Sequence, residues 1–267
     1  MAQHPSPVPD LIADGDEVDL MLVDLDASGW ALATPAEGWD IAHQIAHLCS
    51  VFKLAGLAVA NPDGFKAAAA QLSSDFNANV QASMAEYLAE EPSALLARWR
   101  TERSTTEKAL GAVAPDHIVP WLVRPISASM LAAAGMMELF GHGQDIADAL
   151  GVVRKRTDRI GHVVAFGVHT WDFGYQARGM AAPDVGFRFE ITAPSGQMWA
   201  FGPATAEQKI TGPAEDFCLL VTRRRHRDDL ALRAQGRDAD EWLTIAQAYR
   251  GPAGSGRTPG QFAASQR

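Results

Sequence analysis

Glu138 and His142 stand four residues apart in a stretch, Ser129 to Leu150, that is otherwise mostly apolar. Residues i and i+4 of a helix lie one turn apart on the same face. A carboxylate oxygen and an imidazole nitrogen placed that way can converge on one metal ion. If the helix is buried, the pair needs some partner, and an ion is one candidate. The same spacing also suits a plain hydrogen-bonded i,i+4 couple with no ion at all. A metal site that does chemistry usually has three protein ligands and an open position. The third donor therefore has to come from a facing helix, and the segment near residue 45 offers two histidines, His43 and His47, again at i,i+4. His47 sits among Ile45, Ala46 and Leu48, whereas His43 is nearer the start of its helix.

The elements that would position these groups can be read from periodicity. Leu11, Val18, Leu22 and Leu25 form the seam of a first amphipathic helix. A second is expected from about Asp40 to Ala60, with Ile41, Ile45, Leu48 and Phe52 on its apolar stripe and Thr34-Pro-Ala-Glu37 as a short turn before it. Residues 65–89 are Ala-rich and helix-prone. A third strong helix is expected from about Ser93 to Val113, then a connector interrupted by three prolines, and a fourth helix from Ser127 to Leu150 with Gly151 as its C′ residue. Four long helices joined this way suggest an antiparallel bundle. After residue 151 the pattern changes. Asp158 to Arg178 reads as one more helix, and 185–192 alternates with period two before a Pro194-Ser-Gly196 turn and a returning strand at 197–201. A further strand in 203–213, a helix from Pro213, a strand near Leu230 to Ala234 and a helix from Asp238 to Tyr249 complete a small α+β region. The expected organisation is a helical bundle over 8–152, an α+β domain over 153–252, and a disordered Gly- and Pro-rich tail over 253–267.

The 267 residues carry a net charge of −9, unevenly distributed: residues 1–150 hold 7 Lys/Arg and 20 Asp/Glu, and residues 151–267 hold 16 and 12. An acidic first half argues against nucleic-acid binding there. The run Arg223-Arg-Arg-His-Arg227 reads as a solvated helix end. No apolar run approaches the roughly 18–20 residues of a membrane span, so no membrane association is expected. The N-terminus shows no basic and apolar regions of a secretory signal. Cys49 and Cys218 are the only cysteines and follow no metal or disulfide spacing, which fits a cytoplasmic protein.

Trp39-Asp-Ile-Ala-His-Gln-Ile-Ala-His-Leu48 and Glu138-Leu-Phe-Gly-His-Gly-Gln-Asp145 resemble, in order, two motifs of the mycothiol-dependent maleylpyruvate isomerase family, a branch of the DinB-like metal-binding bundles. Thr211 to Leu220 is similar to the helix start of that family's sterol-carrier-like C-terminal domain. The resemblance runs from about residue 8 to 250 and is nearest to uncharacterised actinobacterial members. It implies a DinB-like four-helix bundle followed by a sterol-carrier-like α+β domain. By position it implies His47, Glu138 and His142 as ligands of a divalent metal, with zinc the expected ion. His43 matches no ligand of the pattern and is left to support the site or face a substrate. Asp145, three residues after His142, either orients that imidazole or pairs with a surface or interdomain arginine. The function implied is a metalloenzyme using a small thiol, mycothiol, and a small electrophilic substrate, of isomerase or S-transferase type. The same ligand set also suits a metal-dependent hydrolase, and a non-enzymatic protein binding a metal or an apolar ligand is the reading from a different class.

Overall fold

The computed structural model describes residues 6–262. The chain divides into two compact units, Met1–Val153 and Arg154–Arg267.

The first unit is helical. Its elements are α1 (Val8–Leu22), the single turn α2 (Ala27–Trp30), α3 (Ile41–Ala60), α4 (Pro62–Ala69), α5 (Phe76–Leu88), α6 (Pro92–Gly111) and α7 (Ala128–Leu150), with a two-residue pair β1 (Ile118–Val119) and β2 (Ile126–Ser127) before α7. α1, α3, α6 and α7 form the bundle, with α3 packed on both α6 and α7, and α1 on α7 and α6. Local chemistry sets the boundaries. The Asp40 carboxylate caps α3 by accepting from the His43 N–H, and the Ser127 hydroxyl caps α7 by accepting from the Met130 N–H. Gly151 ends α7 in the left-handed region at φ 67°. Asn61 closes α3 and also caps α4, with Pro62 at its first position, so Asn61 to Gly64 is a helix-to-helix corner. The proline-rich connector contains the β1–β2 pair, antiparallel with Val119 opposite Ile126, which the proline count had hidden.

α3 is long and apolar enough, by length and composition alone, to cross a membrane. Half of that stretch is buried within the protein, as in a core helix that passes the same test. Its apolar stripe, Ile41, Ile45, Leu48 and Phe52, is at most 2% exposed.

The second unit holds α8 (Gly161–His169), α9 (Phe173–Gln176), β3 (Phe187–Thr192), β4 (Met198–Phe201), β5 (Gln208–Pro213), α10 (Ala214–Val221), β6 (Arg233–Gln235) and α11 (Arg237–Ile245). The sheet order is β4-β3-β5-β6, with β3 antiparallel to β4 and parallel to β5. Phe187, Phe189 and Ile191 alternate inward on β3, and Phe189 meets Phe217 of α10 and Trp242 of α11. The single helix expected over 158–178 is instead broken at Thr170–Asp172. The Thr170 hydroxyl donates to the Phe166 carbonyl one turn back, and Gly174 lies so close to the Ile245 carbonyl that a Cβ would collide with its oxygen. At the break the Trp171 carbonyl accepts from the Trp242 Nε1–H of α11 at 2.8 Å, so a tertiary bond stands there in place of a helical one. Of the tail at 253–267, residues 263–267 lie outside the described residues. Earlier in the tail, the Gly260 N–H donates to Asp229, and the Arg225 guanidinium lies 3.7 Å over the Phe262 ring.

Candidate metal centre

α3 and α7 bring three ligand-type side chains to one place. His47 Nε2 lies 3.7 Å from Glu138 Oε2, and His142 Nε2 lies 3.2 Å from the same oxygen. One ligand atom from each of the three residues lies within 4.8 Å of the others. Their side chains are only 14%, 23% and 12% exposed, so the cluster is largely withdrawn from water. Donors about 2.1 Å from a tetrahedral ion stand roughly 3.4 Å apart, and the two nitrogen–oxygen distances bracket that value. Two imidazoles and a carboxylate suit zinc and several other divalent transition metals. The residues thus fit a divalent cation.

The charge on Glu138 follows from its surroundings. Burial by itself would raise its carboxyl, but hydrogen bonding and charge from the His142 and His47 imidazoles outweigh that, and the group is held well below the usual carboxylate range. It is ionised and suited to holding a cation.

Around the three groups the structure places residues that sequence periodicity did not single out. The Trp39 ring, just ahead of α3, is stacked with His142 at 5.9 Å between centroids and lies 5.5 Å from His47 and 6.2 Å from His43. The two imidazoles are 4.6 Å apart. Gln44, fully buried, sets its Oε1 2.6 Å from His142 Nδ1, and its Nε2 donates to Thr34 Oγ1 at 2.8 Å. A signal for Gln44 was present in the sequence. It occupies an i+3 position on the stripe Ile41, Gln44, Ile45, Leu48, Phe52, where an amide is out of place unless bonded.

His43 is not drawn into the cluster of three. Its Nδ1 pairs with Asp40 Oδ1 at 2.6 Å and its side chain is 33% exposed, beside Trp39. Asp145 is fully buried on α7, one turn beyond His142, while the oxygen facing His142 Nδ1 is that of Gln44. Cys49 is buried, and that burial, with the Glu102 charge, raises its thiol far above the ordinary value, which makes it inert as a nucleophile.

Residues 13–147 match the family described as mycothiol maleylpyruvate isomerase N-terminal domain, and residues 183–235 match one described as wyosine base formation. Two proteins of Mycobacterium tuberculosis described as uncharacterized, from strains CDC 1551 / Oshkosh and ATCC 25618 / H37Rv, are each 41% identical over 250 residues, which is 94% of this chain and 97% of theirs. Crystal structures of a mycothiol-dependent maleylpyruvate isomerase, one of them a His-to-Ala mutant, are similar at TM-score 0.52 and 15–16% identity, over 80% of this chain and 86% of theirs. At that identity the likeness concerns the fold, a DinB-like helical part with a small sheet region. On the match over its helical unit and the relatives aligned along nearly its whole length, the chain belongs to the mycothiol maleylpyruvate isomerase N-terminal-domain family.

Proposed function

We propose that this protein is a thiol-dependent metalloenzyme of isomerase or S-transferase type, with His47, Glu138 and His142 holding one divalent ion, zinc in the first instance. The observation that carries the reading is a single carboxylate oxygen facing two imidazole nitrogens at 3.2 and 3.7 Å in a largely buried cluster. A divalent cation there would lower the pKa of a thiol brought to its open side.

The protein's own residues define the remaining requirements. Glu138 stays anionic, so a bound dication keeps net positive charge and can hold an anionic sulfur. Trp39 covers the two imidazoles with an apolar face, which limits water around the site. His43, turned to the exposed side and fixed at Nδ1 by Asp40, leaves Nε2 as the nitrogen available to a bound substrate. The protein supplies no usable thiol of its own, since Cys49 and Cys218 are both buried. The nucleophile is then a small external thiol, and family membership favours mycothiol, with a small electrophile as its acceptor. Two reduced cysteines also accord with a cytoplasmic setting.

Metal analysis of the purified protein should return about one divalent ion per chain, and His142→Ala should abolish it. The metal-loaded protein, mixed with mycothiol and an electrophile such as maleylpyruvate, should consume substrate only when thiol is present. Full metal content in the His142→Ala variant would remove the ligand assignment. Turnover that ignores thiol would remove the thiol-dependent reading in favour of hydrolysis.

A further inference from the structure

We propose that Gln44 is a positioning residue that fixes which nitrogen of His142 is free to hold the cation, and that the backbone carbonyl of Trp39 sets the direction of this control. The proposal deepens the metal-site reading and rests on it for the ion alone; the state of the imidazole is argued from hydrogen bonds.

A carbonyl only accepts, and the Trp39 oxygen receives both the Thr34 N–H and the Thr34 hydroxyl, each at 2.8 Å. Thr34 has one hydroxyl proton, and this contact uses it. Toward Gln44, 2.8 Å away, the Thr34 oxygen can then only accept, so the amide must present its NH₂ there. The other end of the amide, Oε1, faces His142 Nδ1 at 2.6 Å. An amide oxygen only accepts, so Nδ1 carries a proton. Turning the amide over would draw the Thr34 hydroxyl proton away from the Trp39 carbonyl, leaving that oxygen the Thr34 N–H alone, and would set the amide NH₂ against His142 Nδ1. Because Gln44 is fully buried, water cannot make good a lost bond, and the mismatch would be costly.

A neutral imidazole with its proton on Nδ1 has its lone pair on Nε2. That lone pair stands 3.2 Å from the ionised Glu138 oxygen. Two lone-pair atoms at that distance repel unless a positive centre lies between them, either a second proton on the ring or a cation. In both cases the bonds from His142 through Gln44 and Thr34 to Trp39 are unchanged. The chain therefore keeps the ring in the form that ligates through Nε2. His47 has no such support: its Nδ1 is buried without a hydrogen-bond partner, and the ring is held by packing against Trp39 and His142. The site is thus anchored through one imidazole.

The test has one readout that needs no metal. Long-range ¹H–¹⁵N imidazole spectra of the metal-free, full-length protein, assigned by comparison with His142→Ala, should show a proton on His142 Nδ1 whether or not Nε2 carries one as well. Gln44→Leu, of similar volume, should lose that preference, and Thr34→Val should leave a mixture of tautomers because the amide can then turn. In Co(II) and Zn(II) titrations, Gln44→Leu should still saturate at one ion per chain but bind about 10–100-fold more weakly, the usual effect of removing a ligand's hydrogen-bond partner. Gln44→Glu, which keeps an acceptor oxygen, should recover most of the affinity. A wild-type His142 whose Nδ1 carries no proton would overturn the proposal without any variant having to fold. So would a folded Gln44→Leu with unchanged tautomer and affinity. A wild-type protein that binds no ion yet shows Nδ1–H would support the positioning claim and overturn the metal reading instead.

Discussion

Glu138 is the residue on which the opposing effects of the site meet. Burial favours its neutral form; the His142 and His47 imidazoles favour the charged one and win, so its folded pKa lies below the ordinary value of 4.5. A carboxyl whose pKa is depressed on folding stabilises the fold above its unfolded pKa and loses that contribution as pH falls through the folded value. Glu138→Gln should therefore be less stable than wild type at neutral pH, and the gap should close in strong acid. Urea unfolding in the presence of a chelator, at a series of pH values, measures this without a bound ion. Equal stability at neutral pH would show that the imidazoles do not compensate for its burial. At this scale the sequence marked the residues that could ligate but not their supports. Gln44 was a polar residue on an apolar stripe, and nothing in one dimension paired it with Thr34 ten residues earlier and His142 98 residues later.

At the scale of elements, the site depends on how closely α3 can approach its neighbours. A Cβ placed on Gly56 would stand 2.6 Å from Thr106 Oγ1 on α6, and that hydroxyl is itself committed to the Phe52 carbonyl at 2.6 Å. Gly56→Ala should therefore push α3 and α6 apart or break that bond, at a cost of about 1–3 kcal/mol, measurable as a lower urea midpoint. An unchanged midpoint would mean that the pair yields without strain. The helix starts and stops were legible, because caps such as Asp40, Ser127 and Gly151 act within a few residues of themselves. The break in the 158–178 helix was not, because the partners of Trp171 and Thr170 there, Trp242 and Ala248, come 71 and 78 residues later. The corner ahead of α3 lies between these cases. Its turn was readable from Thr34-Pro-Ala-Glu37, but the Ala33–Asp40 bridge that aims the Trp39 carbonyl at Thr34 forms only in the fold.

Across the whole molecule, each unit carries one buried cysteine, Cys49 in the first and Cys218 in the second. Burial raises the Cys49 thiol so that it stays protonated at ordinary pH, and burial keeps both thiols out of reach of reagents. The folded protein should therefore react with neither a disulfide reagent nor an alkylating agent at mildly alkaline pH, and should titrate two thiols once unfolded. Peptide mapping after partial denaturation would then report which unit opens first, since each labelled cysteine stands for one unit. Rapid labelling of Cys49 in the native state would contradict the packing around α3.

The sequence by itself determined the helical and α+β halves, most helix ends, and the residues able to ligate, because periodicity and capping are local and residue chemistry belongs to the residue. Tertiary structure decided the rest: that His47 and His142 meet at one Glu138 oxygen, that Gln44 stands against His142 Nδ1, and that a β pair lies within the proline-rich connector. These depend on which faces of α3 and α7 pack together. Such contacts are settled by the combined shape and burial of groups far apart in the chain, which no local pattern encodes.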